Sequence, residues 1–284
     1  MNFGLASHKL HLQGADSALL KWARTCEPAA EALGLRLQVA GAACEVLEQQ
    51  HLLQGRLTAL GRGREGGLMR LVSRIAGGLR PGDELDGIFF FIDPVDPTSL
   101  YPEAQALKRQ CVIHGKPFVA TLAGAIEWIG LELSYAGQPE TILPRPDGQT
   151  IALIAHDALK TTMVDFAGEF FDLLSRFATR VATGTTGSLL NNMAWSRGWP
   201  ASRPWVTPYQ SGPLGGDAQI AELILDGQCQ KVIFFEDPHV ARQHEADIQL
   251  LERAVYSTSA VSCFTTPAMS RRWAGSPAWR ASPA

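Results

Sequence analysis

Short runs of apolar residues recur along the chain, and each is followed by a polar or glycine-rich segment. In the second half, Ile151–Ala155, Val181-Ala182 and Lys231–Phe235 have the largely apolar character of strands that are buried on both faces of a sheet. Pro204–Thr207 is predicted to be an edge strand, and Ser259–Phe264 is predicted to be the last strand. The pattern therefore predicts a buried sheet in this half.

Apolar residues between these strands recur at helical spacing. Leu159–Arg176, Asp217–Leu225 and Glu245–Ser257 are predicted to be helices, and a further helix is predicted from Ser188. Alternating strands and helices predict an α/β fold, in which helices cover both faces of a parallel sheet.

The first half repeats this order, roughly 145 residues earlier, which is the length of a domain and not of a solenoid repeat. Its predicted strands are Phe3–Ala6, Arg36–Ala40, Ile88–Ile92 and Phe118–Thr121. We predict one domain over residues 1–138, a Gly- and Pro-rich linker over 139–149, and a second domain over 150–284. The last segment, Gly275–Ala284, is rich in Ser, Pro and Ala and is expected to be frayed.

Composition limits the classes of partner. The net charge is −3, so the chain as a whole does not attract nucleic acid or an anionic membrane surface. No apolar run reaches the roughly 18 residues that cross a bilayer. The five cysteines are scattered without a Cys-x-x-Cys pair, which favours buried reduced thiols and a cytoplasmic protein.

Polar residues follow the predicted strands of the second half one after another. They are His156-Asp157, Thr183–Gly187, Ser211–Asp217 and the segment from Asp237 to Asp247. Parallel sheets bind ligands at the carboxyl ends of their strands, near the point where the strand order reverses. These segments are therefore predicted to converge on one site.

Each segment also has a structural interpretation. Thr183-Gly184-Thr185-Thr186-Gly187 can present hydroxyl and N–H groups to an anion, or it can simply cap a helix. Asp217 can be a site residue or a helix N-cap. The two glycines that precede Asp217 are not needed for a cap and favour a site.

Asp237, His244 and Asp247 form a carboxylate and imidazole cluster suited to proton transfer, or they are ordinary charges of a surface loop. The pair His239 and His244 lacks the ligand spacing of a metal site, so no metal is predicted.

The pattern Gly-x-Gly-x-x-Gly at Gly61–Gly66 matches a dinucleotide fingerprint. It falls in the third segment of its domain instead of the first, so we interpret it as accidental.

The second half resembles methylglyoxal synthase over nearly its whole length. The resemblance is carried by Ala155-His156-Asp157 with Lys160, Ala182–Gly187, Ser211–Asp217, and Phe234–Pro238 with His244 and Asp247. It implies a three-layer αβα fold with a five-stranded parallel, Rossmann-like sheet in each half. It also implies conversion of dihydroxyacetone phosphate into methylglyoxal and inorganic phosphate, a glycolysis bypass, without metal or organic cofactor.

The resemblance assigns roles to individual residues. Asp217 would be the base, and His244 would move protons on the enediol oxygens. The residues that would position the substrate and tune His244 are His156, Asp157, Asp237 and Asp247. The residues that would hold the phosphate are His156, Lys160, Thr183, Gly184, Thr185, Thr186, Ser211 and Gly212.

The resemblance implies hexamers in the family, so a trimer of two-domain chains is expected here. The basic tail of the family has no confident counterpart in Ser270–Ala284, which contains Arg271, Arg272 and Arg280. The alternative function is a non-catalytic phosphate- or nucleotide-binding regulatory module of the same fold.

The first half lacks most of this chemistry. Asp157 is replaced by Lys9, Ser211 by Arg62, Asp217 by Leu68 and His244 by Leu100, and Thr185 and Thr186 are replaced by Ala42 and Ala43. A leucine cannot abstract a proton, so this copy is predicted to be inactive in the family reaction. Lys9, Arg62 and Arg64 are interpreted either as an anion pocket or, preferably, as solvated charges.

Overall fold

The computed structural model describes residues 1–96, 102–138, 143–239 and 245–279, without the side chains of residues 245–248. The chain divides into two compact units, Met1–Leu143 and Pro144–Ala284. Residues 139–142 of the predicted linker lie outside the described residues. The rest of that linker ends in a short 3-10 turn, Pro146–Gly148.

The first unit contains a five-stranded parallel sheet in the order β3-β2-β1-β4-β5. Its elements in chain order are β1 Asn2–Ser7, α1 Ala18–Ala32, β2 Arg36–Ala40, α2 Ala43–Gln49, β3 Leu57–Gly61, α3 Gly67–Ile75, β4 Gly87–Phe91, α4 Pro102–Ile113, β5 Phe118–Val119 and α5 Leu122–Tyr135.

The second unit contains a second five-stranded parallel sheet in the order β8-β7-β6-β9-β10. Its elements are β6 Thr150–Ala155, α6 Lys160–Glu169, α7 Phe171–Ser175, β7 Thr179–Ala182, α8 Gly184–Ser196, β8 Thr207–Pro208, α9 Gly216–Leu225, β9 Lys231–Phe235, α10 Glu245–Thr258, β10 Ser262–Phe264 and α11 Pro267–Ala274.

Both units have the same strand order in a parallel sheet with helices between the strands, which confirms the predicted α/β fold class. In each, the first strand lies in the middle of the sheet, between the second and the fourth strands. The strands with continuous apolar runs are the most buried, since every residue of β4 and β9 is buried. The strand order reverses beside β6 and β9, so the crevice expected to hold a ligand lies at their carboxyl ends.

Two predicted helices have wrong bounds, the predicted edge strand Pro204–Thr207 lies instead at Thr207–Pro208, and one strand was not predicted. Helix α8 begins at Gly184 and not at Ser188, so the Thr- and Gly-rich segment is its first turn. The predicted helix over Leu159–Arg176 is interrupted at Phe170, which separates α6 from α7. Strand β3, Leu57–Gly61, is not singled out by the sequence pattern, because most of its residues are at least partly exposed.

The expected fraying of the last segment is also wrong as far as Trp279. Trp279 packs edge-on against the buried Trp273, with ring centroids 5.6 Å apart, and its Nε1–H donates to the Trp273 carbonyl over 2.6 Å. Arg176 donates to the Trp279 carbonyl over 3.2 Å. These bonds hold residues 275–279 against the second unit, and residues 280–284, including Arg280, lie outside the described residues.

No helix among the described residues combines the length and the apolar character that crossing a membrane requires.

All five cysteines are unpaired, and four of them are buried: Cys26, Cys44, Cys111 and Cys229. Burial raises the pKa of the Cys26 and Cys229 thiols to about 12, and it raises the pKa of Cys111 even further. Burial, with the nearby Glu48 carboxylate, raises the pKa of Cys44 to about 11. The thiolate is the reactive form, so these four thiols are protonated and inaccessible near neutral pH.

We therefore expect these four thiols to react with an aromatic disulfide reagent at pH 8 at least about a hundredfold more slowly in the folded chain than in guanidinium. Peptide mass spectrometry after timed labelling measures each cysteine separately. The partly exposed Cys263 provides the comparison within the same sample. Labelling of Cys111 in the folded chain at the rate of the unfolded chain would contradict its buried position.

Candidate functional site

A cavity of about 470 Å³ lies at the carboxyl ends of the strands of the second unit. Its polar lining consists of His156, Asp157, Lys160, Thr183, Thr185, Ser211, Gly212 and Asp217. These residues follow β6, β7 and β8 or begin α9, so separate segments of the chain meet at the crevice expected from the strand order. Most of the predicted site residues thus line one cavity.

The apolar wall of this cavity was not predicted. It includes Ile154 and Phe234, which lie near the ends of two adjacent strands, and Leu251, which lies on α10. Both residues belong to continuously apolar strand ends, so the sequence pattern does not mark them as cavity residues. Leu251 is one of several apolar residues on α10, and the pattern does not show which of them reaches the cavity.

The first turn of α8 has the features of an anion site. Thr183 is its N-cap, but its hydroxyl accepts no capping hydrogen bond. Within the described residues, the backbone N–H groups of Thr185 and Thr186 also have no hydrogen-bond acceptor. The Thr186 hydroxyl is fully buried and has no partner there either. Unpaired N–H groups at the positive end of a helix dipole favour a bound anion.

Gly184 contributes in a different way, because its N–H donates to the Gln210 carbonyl over 2.9 Å. A Cβ atom at this position would lie 3.0 Å from the Ser211 nitrogen and 3.1 Å from the Tyr209 oxygen. A glycine at this position therefore lets the loop after β8 approach α8 closely.

The glycine pair before Asp217 has a structural explanation. Gly215 has a φ of +96°, and a Cβ atom on Gly216 would overlap the Gln210 carbonyl. In the first unit, Gly66 has a φ of +76°, and a Cβ atom on Gly67 would overlap the Gly61 carbonyl in the same way. The pair is present in both copies for its backbone geometry, so the glycines alone do not indicate a site.

Asp217 is not the N-cap of α9, since Gly215 occupies that position. Asp217 is half-buried in the first turn and lines the cavity. Its carboxylate lies against Gly212, where an added Cβ atom would be 2.8 Å from Asp217 Oδ2. The acid therefore faces the loop residue next to Ser211.

His156 has a defined ring orientation. Its Nδ1 accepts the Asp237 backbone N–H over 2.8 Å, and its ring packs edge-on against Phe234 at 5.0 Å. A neutral His156 therefore carries its proton on Nε2, which leaves that nitrogen as a donor.

The Asp237 side chain makes a local turn. Its Oδ1 accepts the His239 N–H over 2.9 Å, and Asp93 of the first unit accepts the Val95 N–H over 3.0 Å in the same arrangement. Because both copies have this bond, the Asp237 carboxylate has a structural role in the loop after β9. Its backbone N–H is the group that orients His156.

The Lys160 side chain lines the cavity and is mostly buried. Its side chain is only 20% exposed, and its ammonium lies 2.5 Å from Asp157 Oδ1, whereas Asp157 is 88% exposed. A surface ion pair of this kind contributes little stability. Its consequence is that a positive charge is held near the first turn of α8.

The remaining two predicted residues are not seen in the same detail. His244 lies outside the described residues. Asp247 lies on α10, but its side chain is not described.

Charged side chains at the corresponding edge of the first unit form ion pairs with one another. Arg62 makes a bidentate pair with Glu45 on α2, with one N···O distance of 2.7 Å, and Lys9 lies 2.9 Å from Asp96. Two of the three cations predicted there are thus paired with carboxylates. This arrangement supports the interpretation that they do not form an anion pocket.

His8, Asp93 and Asp96 are the one group of three potential metal ligands found in the described parts of the chain, with ligand atoms within 4.8 Å of one another. The His8 Nδ1 lies 3.5 Å from Asp93, and its Nε2 lies 3.3 Å from Asp96. The Lys9 ammonium already lies against Asp96, so the cluster is partly neutralised without a metal ion.

No family model matches the chain. Three curated relatives are methylglyoxal synthases. Identity is 42% over 103 residues with the Oceanobacillus iheyensis protein, 41% over 103 residues with that of Clostridium beijerinckii, and 41% over 105 residues with that of Thermus thermophilus. These matches cover 36%, 36% and 37% of this chain and 67%, 79% and 76% of the respective relatives.

A crystal structure of methylglyoxal synthase from Elizabethkingia anophelis superposes with a TM-score of 0.37 and 33% identity, over 47% of this chain and 81% of that one.

Proposed function

Because this chain belongs to the methylglyoxal synthase family, we propose that its second unit converts dihydroxyacetone phosphate into methylglyoxal and inorganic phosphate. The observation that carries the proposal is the cavity lined by a carboxylate, a cation and a helix start whose first N–H groups have no acceptor among the described residues. A phosphorylated ketone needs all three, since its phosphate must be held while a proton is removed beside its carbonyl.

The phosphate would lie against the first turn of α8. Thr183, Thr185 and Thr186 offer hydroxyl and N–H donors there, and Lys160 supplies a positive charge. Ser211 and Gly212, in the loop after β8 that lies close to this helix start, line the same cavity. Held in this way, the substrate extends towards Asp217, which faces the same loop.

Asp217 would then remove a proton from the carbon that carries the free hydroxyl group. The electron pair of that C–H bond forms the carbon–carbon double bond of an enediolate, and the carbonyl oxygen takes the negative charge. Because its Nδ1 accepts the Asp237 N–H, a neutral His156 has its N–H donor on Nε2, the form that can stabilise an oxyanion. By the family resemblance, His244 would move protons between the two enediol oxygens.

Phosphate would leave from the other carbon as the enediolate electrons move towards it. The C–O bond to phosphate breaks, the product is the enol of methylglyoxal, and protonation of its terminal carbon gives the methyl group. Atoms balance without water, so the step is an elimination and not a hydrolysis. The phosphate contacts stabilise the leaving group as its charge develops.

The test is turnover of dihydroxyacetone phosphate by the purified full-length chain in a buffer that contains a metal chelator. We expect methylglyoxal and phosphate to appear in equal amounts, faster than in a sample without protein. Release of phosphate without methylglyoxal would indicate a phosphatase. Absence of turnover, with tight binding of phosphate or nucleotides by calorimetry, would overturn the proposal in favour of a regulatory module.

A further inference from the structure

We propose that Gln219 is a positioning residue of the second unit, which fixes the loop bearing Ser211 and Gly212 relative to Asp217. The proposal rests on the proposed function of the same site. Gln219 lies two residues after Asp217 on α9, is exposed and is not among the residues that line the cavity. It therefore acts on the reaction through other groups.

The contact that Gln219 makes is with the loop backbone. Its Oε1 accepts the backbone N–H of Gln210 over 3.0 Å. The carbonyl of the same residue accepts the Gly184 N–H over 2.9 Å. Gln210 thus joins the helix that carries Asp217 to the helix start that is proposed to hold the phosphate, and Ser211 follows directly.

The first unit provides an internal comparison, because Arg70 occupies the position of Gln219. Its guanidinium donates to the Leu60 carbonyl over 2.9 Å. The bond from Gly41 to the Gly61 carbonyl corresponds to the bond from Gly184 to Gln210 and is present at 3.0 Å. Both units thus have the bond from the helix start to the loop carbonyl. They differ in the bond between the loop and the side chain at position 219 or 70.

The difference concerns a single peptide group. The peptide between Tyr209 and Gln210 presents its N–H to α9, whereas the corresponding peptide between Leu60 and Gly61 presents its C=O to α3. N–H and C=O point in opposite directions across a trans peptide. The plane of this peptide group is therefore turned the other way round in the second unit than in the first. Gly61 has a φ of +97°, and Gln210 is not among the residues with positive φ.

The acceptor at position 219 therefore belongs to the unit that holds the acid Asp217. The unit with Leu68 in place of that acid has a donor, Arg70, at the same position. Loss of the acceptor would leave the Gln210 N–H to water and free the loop to move relative to Asp217. Ser211 and Gly212 belong to the proposed phosphate site. Loss of the Gln219 acceptor should therefore weaken substrate binding more than it lowers kcat.

The test compares Gln219→Met, which keeps the length but removes the acceptor, with Gln219→Glu, which keeps an acceptor oxygen. Gln228→Met is the matched control, because Gln228 is an exposed glutamine in the loop after the same helix. We expect Gln219→Met to raise the KM for dihydroxyacetone phosphate and the Kd for inorganic phosphate by about threefold to tenfold, with a smaller change in kcat.

Gln219→Glu at 0.15 M salt should remain within about twofold of the wild type, since an exposed charge is screened under these conditions. Gln228→Met should be unchanged. Wild-type values of KM and Kd in Gln219→Met would overturn this proposal while leaving the proposed function intact. Equal impairment by Met and Glu would also overturn it. Absence of turnover by the wild-type chain would overturn the proposed function, and this proposal with it.

Discussion

Replacement of Asp217 by Asn is expected to lower kcat for dihydroxyacetone phosphate by a factor of about 10² to 10⁴, the range typical of a lost general base. Asn has the shape of Asp, so the contact with Gly212 remains, but its amide cannot accept the substrate proton. The affinity for inorganic phosphate should not weaken, because the substitution removes a negative charge from the cavity. Steady-state kinetics and calorimetry measure the two effects separately.

Asp226→Asn is the matched control, since Asp226 is exposed at the opposite end of α9. It makes the same chemical change on the same helix, and wild-type kinetics are expected. If Asp217→Asn kept the wild-type rate, another group would have to be the base. If both variants lost activity, the effect would come from the helix and not from the carboxylate.

Gly216→Ala is expected to reduce turnover by about a hundredfold, because a displacement of about 1 Å at a site can have an effect of this size. The added Cβ atom would overlap the Gln210 carbonyl, so either the loop or the start of α9 must move. Both carry proposed site residues. Overpacking of this kind should also lower the free energy of unfolding by about 1–3 kcal/mol. Turnover and denaturant unfolding measure the two effects.

Gly67→Ala in the first unit is the control that separates a loss of stability from a loss of turnover. The Cβ atom of this variant would overlap the Gly61 carbonyl, so a loss of stability similar to that of Gly216→Ala is expected in its own unit. The proposed site is not altered, and turnover should stay near the wild-type rate. Full activity in Gly216→Ala would show that the close contact is unnecessary, and loss of activity in Gly67→Ala would link the first unit to turnover.

Buried strands could be predicted because burial on both faces leaves a continuous apolar run. Lys231–Phe235, of which the last four residues are apolar, has the predicted bounds for this reason. Strand β3 escaped prediction because an edge strand with exposed residues has no such run. The start of α8 was misplaced because a Thr- and Gly-rich composition is typical of loops. The bond from the Gly184 N–H to the Gln210 carbonyl, which fixes the helix start, joins segments that are distant in sequence and could not be predicted.

The site could be predicted only as far as residue type and strand ends allow. His156, Thr183 and Ser211 each follow a strand, so their convergence follows from a parallel sheet. Contacts between loops could not be predicted. The turn made by Asp237 and the acceptor role of Gln219 depend on backbone groups whose directions the sequence does not contain.

The pair between Arg62 and Glu45 is one of several features of the first unit that a single substitution elsewhere would not change. An acid at position 68 would restore a base, but the adjoining loop would still hold an arginine bonded to a glutamate. The threonines that correspond to Ala42 and Ala43 would still be missing. Family chemistry in the first unit would therefore require several substitutions together, whereas in the second unit the corresponding residues are already present.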